Sequence, residues 1–284
     1  MTKSQTFTVF VPEIWSPRIT EYFKEKLVAA KFFSDFSSDL AAGGDMVHIP
    51  KMSQRFTVSD IKTTSGEVTA TNISDTSATL TVNKWKGAAF FISDFQARQI
   101  HNQYKVLDAY ARDAGHDLAK TFDSELFTYT SASNVSDSVG DSATDILATT
   151  LERAISIVES NSIPINECAF FFHPYAWYRE VQKNSDLRQA TIYGEARLPN
   201  LTKLASLYGI TAYVTPQVPT GTAGSEGGHR NGLYHPDLIA FAVQMPVRIT
   251  EKQGEHLRRK VNVDIAYGIT NLRSDAGIRI ISNN

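Results

Sequence analysis

Hydrophobic positions along the chain change period three times, and each change marks a different kind of element. From Ser93 to Tyr129 the apolar residues Ile100, Tyr104, Leu107, Ala111, Ala114, Leu118, Phe122 and Leu126 recur at spacings of four and three. That is the stripe of an amphipathic helix. Ser93 with Gln96 three residues later forms a capping-box pattern, and Asp94 suits the positive end of the helix. The spacing predicts one uninterrupted helix of roughly 54 Å. Small and aromatic residues in the stripe, with Gly115 among them, argue against a dimeric coiled coil, which prefers a Leu/Ile seam. Gly115 costs about 1 kcal/mol relative to Ala unless a neighbour packs closely there.

The segment feeding this helix has the opposite character. Met46 to Ile92 holds 13 Ser and Thr in 47 residues. Val47-His48-Ile49, Phe56-Thr57-Val58 and the alternating Thr79-Leu80-Thr81-Val82 read as strand pieces, and Thr63 to Glu67 as a turn. If Val47 to Ile92 is one hairpin, each arm reaches roughly 60 Å. An isolated ribbon of that kind is marginal in water and needs a neighbour. A meander inside a β-rich domain is the alternative. Before it, Thr6 to Val11 alternates weakly, Pro12 and Pro17 bracket Trp15 in an irregular arm, Thr20 to Ala30 suits a short helix, and Ala41 to Asp45 a turn.

After the Ser/Asp/Gly-rich stretch from Thr130 to Thr144 the elements shorten. Helices are predicted over Asp145 to Asn161, from His173-Pro174 through Val181, and over Leu201 to Tyr208, where Gly209 stops the last. Strands are predicted at Ala169 to Phe172, Ile210 to Val214 and Leu238 to Met245. The Gly-rich Thr220 to Gly232 reads as a mobile loop. Val247 to Thr250, Val261 to Tyr267 and Gly277 to Ser282 return to strand, and residues after about 246 are expected to pair with the strand leading into the long helix.

Composition narrows function. Apolar residues make up 42% and charged residues 20% of the 284, enough for a core. The formal net charge of −2 argues against a dedicated nucleic-acid binder. Arg258, Arg259 and Lys260 form a short basic run best read as a solvated strand end. The start of the chain carries no signal-like apolar region, and the apolar runs are too short for a membrane helix. The single cysteine, Cys168, excludes an intrachain disulfide and reads as an inert core thiol. No phosphate-binding loop, dinucleotide fingerprint, nucleophile elbow or zinc-protease motif is present. His173, His235 and Asp237 could be imagined as a metal site, but a His at a strand end bonding nearby backbone is the better reading. No catalytic, cofactor-binding or metal residue is assigned, and nothing points to an enzyme.

The order of arm, polar hairpin, long helix, α/β domain and returning strand resembles the major capsid protein of tailed bacteriophages, the Hong Kong 97-like fold also used by encapsulin shells. The resemblance covers nearly the whole chain. Phe170-Phe171-Phe172-His173-Pro174 and Gly232 to Phe241 look like its axial domain, Val261 to Thr270 like its long peripheral strand, and Gly277 to Ser282 like the last axial strand.

The resemblance implies an α+β capsid fold. Its N-terminal arm would span 1–45, its extended loop 46–92, its peripheral domain with spine helix 93–135 and 246–272, and its axial domain 136–245 and 273–284. It also implies hexamers and pentamers closing an icosahedral shell around double-stranded DNA, with portal and decoration proteins and no cofactor. The arm begins almost at Met1, so a separate scaffolding protein is expected. Trp15, Arg18, Lys62 and Glu67 are the implied inter-subunit contacts. Lys62 lies near the hairpin tip, where some relatives place a crosslinking Lys, but no Asn partner or carboxylate for such a link is identifiable. An encapsulin shell is the alternative, disfavoured because Thr6 to Trp15 is β-like and broken by Pro12 where a lumenal helix would sit. An enzyme or carbohydrate-binding domain on a β-rich scaffold is the third reading, and it lacks a convergent polar pocket.

Overall fold

The computed structural model of the chain describes residues 27–40, 43–52, 75–93, 103–183, 204–221, 228–253 and 258–283. In chain order the elements are α1 (Ala29–Phe32), β1 (Ser34–Asp35), β2 (Met46–Met52), β3 (Asp75–Thr81), β4 (Lys84–Ser93), α2 (Gln103–Thr128), β5 (Asp137–Gly140), α3 (Ala148–Ser160), β6 (Ala169–Phe172), β7 (Leu204–Leu207), β8 (Ile210–Val214), β9 (Thr220–Gly221), β10 (Gly228–Tyr234), β11 (Ile239–Gln253), β12 (Arg258–Asn271) and β13 (Gly277–Ser282). They form a four-stranded sheet in the order β1-β11-β12-β4, a seven-stranded sheet β5-β13-β10-β6-β8-β7 with β9 on β10, and the β2-β3 ribbon.

The helix α2 crosses both sheets and joins their cores. Its described stripe is buried at Ala111, Leu118, Phe122 and Leu126, as the spacing predicted. Phe122 meets Phe241 and Tyr267 edge-to-face in the four-stranded sheet, at centroid distances of 5.4 and 4.7 Å. One turn on, Phe127 meets Phe171 of β6 at 5.5 Å. The two layers therefore share one hydrophobic cluster. The side chain of Leu107 lies outside the described residues.

Ser93 ends β4, paired with Arg258, and the described helix runs from Gln103 to Thr128, 26 residues or about 39 Å. The first turns predicted after the Ser93 capping pattern lie outside the described residues. The span read as one hairpin to Ile92 divides. β2 and β3 pair antiparallel from Met46↔Thr81 to Met52↔Asp75, and Lys84 to Ser93 then leaves the ribbon for the four-stranded sheet. There β4 pairs β12 from Tyr267↔Lys84 to Arg258↔Ser93, which is the pairing the returning strand was expected to make. Thr79 is exposed and Leu80 buried, so that stretch is half-exposed as its alternation implied. Leu80 packs with Leu40 and Ala242, seating the base of the ribbon on the sheet.

Five shorter readings change. Leu201 to Tyr208 was expected to be helical, but Leu204–Leu207 is a strand antiparallel to β8. The two residues between them, Tyr208 (φ 53°) and Gly209 (φ 80°), both have positive φ, as a tight hairpin turn requires. The Gly-rich Thr220 to Gly232 carries β9 and the first half of β10. Leu238 to Met245 and Val247 to Thr250 are not separate strands. Both belong to the 15-residue β11, with Pro246 accommodated between register shifts at Val243/Met245 and Met245/Arg248. The helix expected from Asp145 starts at Ala148, leaving Ile146 buried and Leu147 exposed. From Ala176 to Val181 the predicted helix is π-helical, with Trp177 and Val181 buried and Tyr178 exposed.

Candidate functional site

One face of the four-stranded sheet packs against α2; on the other, the base of the β2–β3 ribbon covers the end at Ala242 and Gly268, and among the described residues the remainder is open. Along β4, Lys84, Lys86, Ala88 and Phe90 turn toward α2, where Phe90 lies 6.1 Å from the Tyr110 ring. Glu125 of α2 accepts from Lys84 Nζ at 2.8 Å and from Lys86 Nζ. Burial works against that carboxylate, but the two lysines prevail and hold its pKa below the usual value. Burial and then Glu125 push the Tyr267 phenol well up. The carboxylate with its two lysines thus ties β4 to the helix, while Tyr267 of β12 is held there by packing on Phe122.

The alternate residues Trp85, Gly87, Ala89 and Phe91 point the other way. Trp85 is 71% exposed and Phe91 60%, with two of the smallest side chains between them. The result is a shallow groove of about 600 Å³, floored by Gly87 and Ala89 and walled by Trp85, Arg248, Asn262 and Asp264. Trp85 does not swing freely. Its indole N–H donates to Asp264 Oδ2 at 2.9 Å, and Arg248 donates to both oxygens of the same carboxylate at 2.8 Å. The Arg248 hydrogen bond, then that of Trp85, holds the Asp264 pKa down to about 2. At the far end Lys260 Nζ stands 5.8 Å over the Phe91 ring. This face is a fixed aromatic and charged surface with no reacting group on it.

A second device ties the residues before β1 to the helix. Asp123 is fully buried on α2, accepting from Val28 N–H at 3.2 Å and Ala30 N–H at 3.0 Å. It caps the short α1 across more than ninety residues of sequence, and burial raises its pKa against those backbone bonds. The signal for it was visible as an Asp three residues before the apolar Leu126. Trp85 and Phe91 were missed because aromatic residues occur on both parities of β4, which obscures its alternation.

The sequence-derived contact residues Trp15, Arg18, Lys62 and Glu67 lie outside the described residues. The imagined metal triad does not converge. His173 Nδ1 accepts from Tyr175 N–H at 3.3 Å, and His235 Nδ1 from Asp237 N–H at 3.2 Å, so both histidines bond nearby backbone. His235 Nε2 is occupied by Glu167 at 3.1 Å. Among the described residues no three His, Cys, Asp or Glu side chains are grouped to hold a metal. Cys168 is buried, its Sγ 3.5 Å from the Pro164 carbonyl, and burial followed by Glu167 pushes its pKa up to about 12. It is a core thiol. No described helix is long and apolar enough to cross a membrane.

Residues 75–280 match the family described as phage capsid protein, and the chain belongs to that family. It is a major capsid protein and a virion component, not an enzyme.

Solved structures carry the same fold across almost the whole length. A chain of Mycobacterium phage Che8 matches with TM-score 0.74 at 18% identity, over 97% of this chain and 98% of that one. A chain from the capsid of the native GTA particle matches with TM-score 0.74 at 9% identity, over 97% and 96%. The capsid of cyanophage P-SCSP1u matches with TM-score 0.70 at 15% identity, over 97% and 94%. No curated protein matches the chain. An encapsulin-type shell is not favoured by these likenesses.

Proposed function

We propose that this chain closes an icosahedral shell of hexamers and pentamers around double-stranded DNA, and that the open face of the four-stranded sheet is one of the surfaces other copies cover. The observation that carries the reading is the pair of exposed aromatics, Trp85 and Phe91, on a face stiffened by Arg248 and Asp264. Large exposed apolar groups rimmed by fixed charges mark interaction sites, and buried aromatics dominate interface energies. The arm (1–45), the extended loop (46–92), the peripheral domain (93–135 and 246–272) and the axial domain (136–245 and 273–284) remain the proposed division. The pairing of β4 with β12 supports moving the loop's C-terminal limit back to about Thr81. Trp15, Arg18, Lys62 and Glu67 remain proposed inter-subunit contacts. A separate scaffolding protein, a portal, decoration proteins and non-specifically held DNA are the proposed partners, with synthesis in the host cytoplasm.

Electron microscopy and sedimentation of the purified chain, alone and with its scaffold, test this. Shells or rings are expected, and a strict monomer at high concentration under both conditions refutes it. The double variant Trp85→Ala with Phe91→Ala points away from α2, so it should keep the subunit folded while lowering shell yield. Unchanged shell yield would remove this face from the assembly surface.

A further inference from the structure

Two histidines from different strands lie face to face in the seven-stranded sheet, and neither the fold nor the assembly reading uses them. His173 follows β6 and His229 is the second residue of β10. Their rings stack with centroids 4.0 Å apart and planes within 11°. His229 is 4% exposed, and its Nε2 is enclosed with no hydrogen-bond partner. Its Nδ1 lies 3.1 Å from the Thr220 hydroxyl on β9, the residue paired with it in register. His173 Nδ1 accepts the Tyr175 N–H, which requires that nitrogen to be unprotonated. The His173 backbone N–H in turn donates to Asn231 Oδ1 at 2.7 Å, and Asn231 Nδ2 to Ser282 Oγ at 3.0 Å. The stack therefore sits where β9, β10 and the exit of β6 meet.

We propose that the His173–His229 stack is a proton-operated latch: neutral, it holds β9 and Gly228–Asn231 of β10 against the exit of β6, and on acidification the two imidazoliums drive those residues away. The inference does not depend on the shell reading. Two like charges at this separation repel strongly in a dry setting. A protonated His173 would also turn a donor toward the donating Tyr175 N–H. Tyr175, tilted 5.1 Å from His229, carries Arg179 at 4.9 Å over its ring. The carboxyl on the same segment, Glu180, accepts from the Ile146 N–H at 2.9 Å and engages Ser282, the register partner of His229; burial raises its pKa, so the relief it offers fades as the pH falls. Arg230 and Arg279 lie on the opposite face of the sheet. Burial, then His173, holds the His229 pKa down to about 4, and burial lowers that of His173. An imidazole depressed in the fold leaves stability unchanged above its ordinary value of 6.5. Stability falls as the pH drops from there toward about 4, because only the open form takes up the proton.

Hydrogen exchange on the full chain at about pH 7.5 and about pH 5, expressed as protection factors, reads the latch, since each proton taken up favours opening about tenfold per pH unit. Protection across Thr220–Gly221 and Gly228–Asn231 should fall at least tenfold while α3 keeps its protection. His229→Gln retains a Thr220 partner and leaves only His173 to titrate, so its loss of protection at the lower pH should drop from two protons toward one. If that variant does not fold, His173→Gln leaves one titrating imidazole, and the pH dependence should drop from two protons toward one. Equal loss in wild type and His229→Gln, an unchanged slope in His173→Gln, no loss in wild type, or equal loss across α3 each overturns the proposal.

Discussion

Two glycines of this fold should respond in opposite directions to the same added methyl group. Gly115 sits inside α2, where a Cβ would have one neighbour within 4 Å, Val247 Cγ1 at 3.6 Å, an ordinary van der Waals contact. Among the described residues no backbone crosses there, so Gly115→Ala keeps the packing and gains helix propensity of about 0.8–1.0 kcal/mol. Gly268 of β12 is different. A Cβ there would lie 2.3 Å from the Thr81 carbonyl oxygen and 2.8 Å from its carbon, because the end of the β2–β3 ribbon passes directly over the strand. Gly268→Ala must displace backbone, at about 1–3 kcal/mol or more. Urea denaturation of unassembled subunits, followed by far-UV circular dichroism with m held constant, separates the two. Gly115→Ala should raise the midpoint, equivalent to about 2–4 °C in Tm for a chain of this size, and Gly268→Ala should lower it. A destabilised Gly115→Ala would mean that α2 and β11 lie closer than described. A neutral Gly268→Ala would mean that the ribbon does not cross β12 there.

Leu118→Ala empties a buried position on the α2 stripe and should cost about 2–5 kcal/mol by the same denaturation measurement. Asp123→Asn leaves at least one of the Val28 and Ala30 amides facing a poor acceptor; a loss of about 1–3 kcal/mol is expected, with faster hydrogen exchange at those two amides as the local readout. Cys168→Ser should cost about 1–3 kcal/mol and leave assembly intact, and the wild-type thiol should resist alkylation until the chain unfolds. Asp264, depressed by its Arg248 and Trp85 bonds, contributes stability above its ordinary value of 3.8 that is lost as the pH falls toward about 2. Its carboxyl carbon should titrate near there by NMR, and Arg248→Met should move that midpoint upward.

What the sequence made legible follows from where local signals and tertiary demands agree. The described part of the α2 stripe, the all-apolar Ala169 to Phe172 and the alternation of Val261 to Tyr267 each carry their burial in their own spacing, and each forms as read. The register of Ser93 with Arg258 shows the opposite case, since no local reading reveals a partner 165 positions away. Leu204 to Leu207 failed for a related reason: Leu spaced by three fits a helix turn or a short strand equally well, and the decision lies in the Tyr208-Gly209 turn, whose positive φ at a non-glycine residue was not anticipated. The open face was the least legible feature. A strand with lysines under a helix on one side and aromatics in water on the other inverts the usual alternation. The inversion is stable only because Glu125 neutralises Lys84 and Lys86 on the covered side. That arrangement leaves Trp85 and Phe91 in solvent in the single subunit, an exposure that the association of further copies would remove.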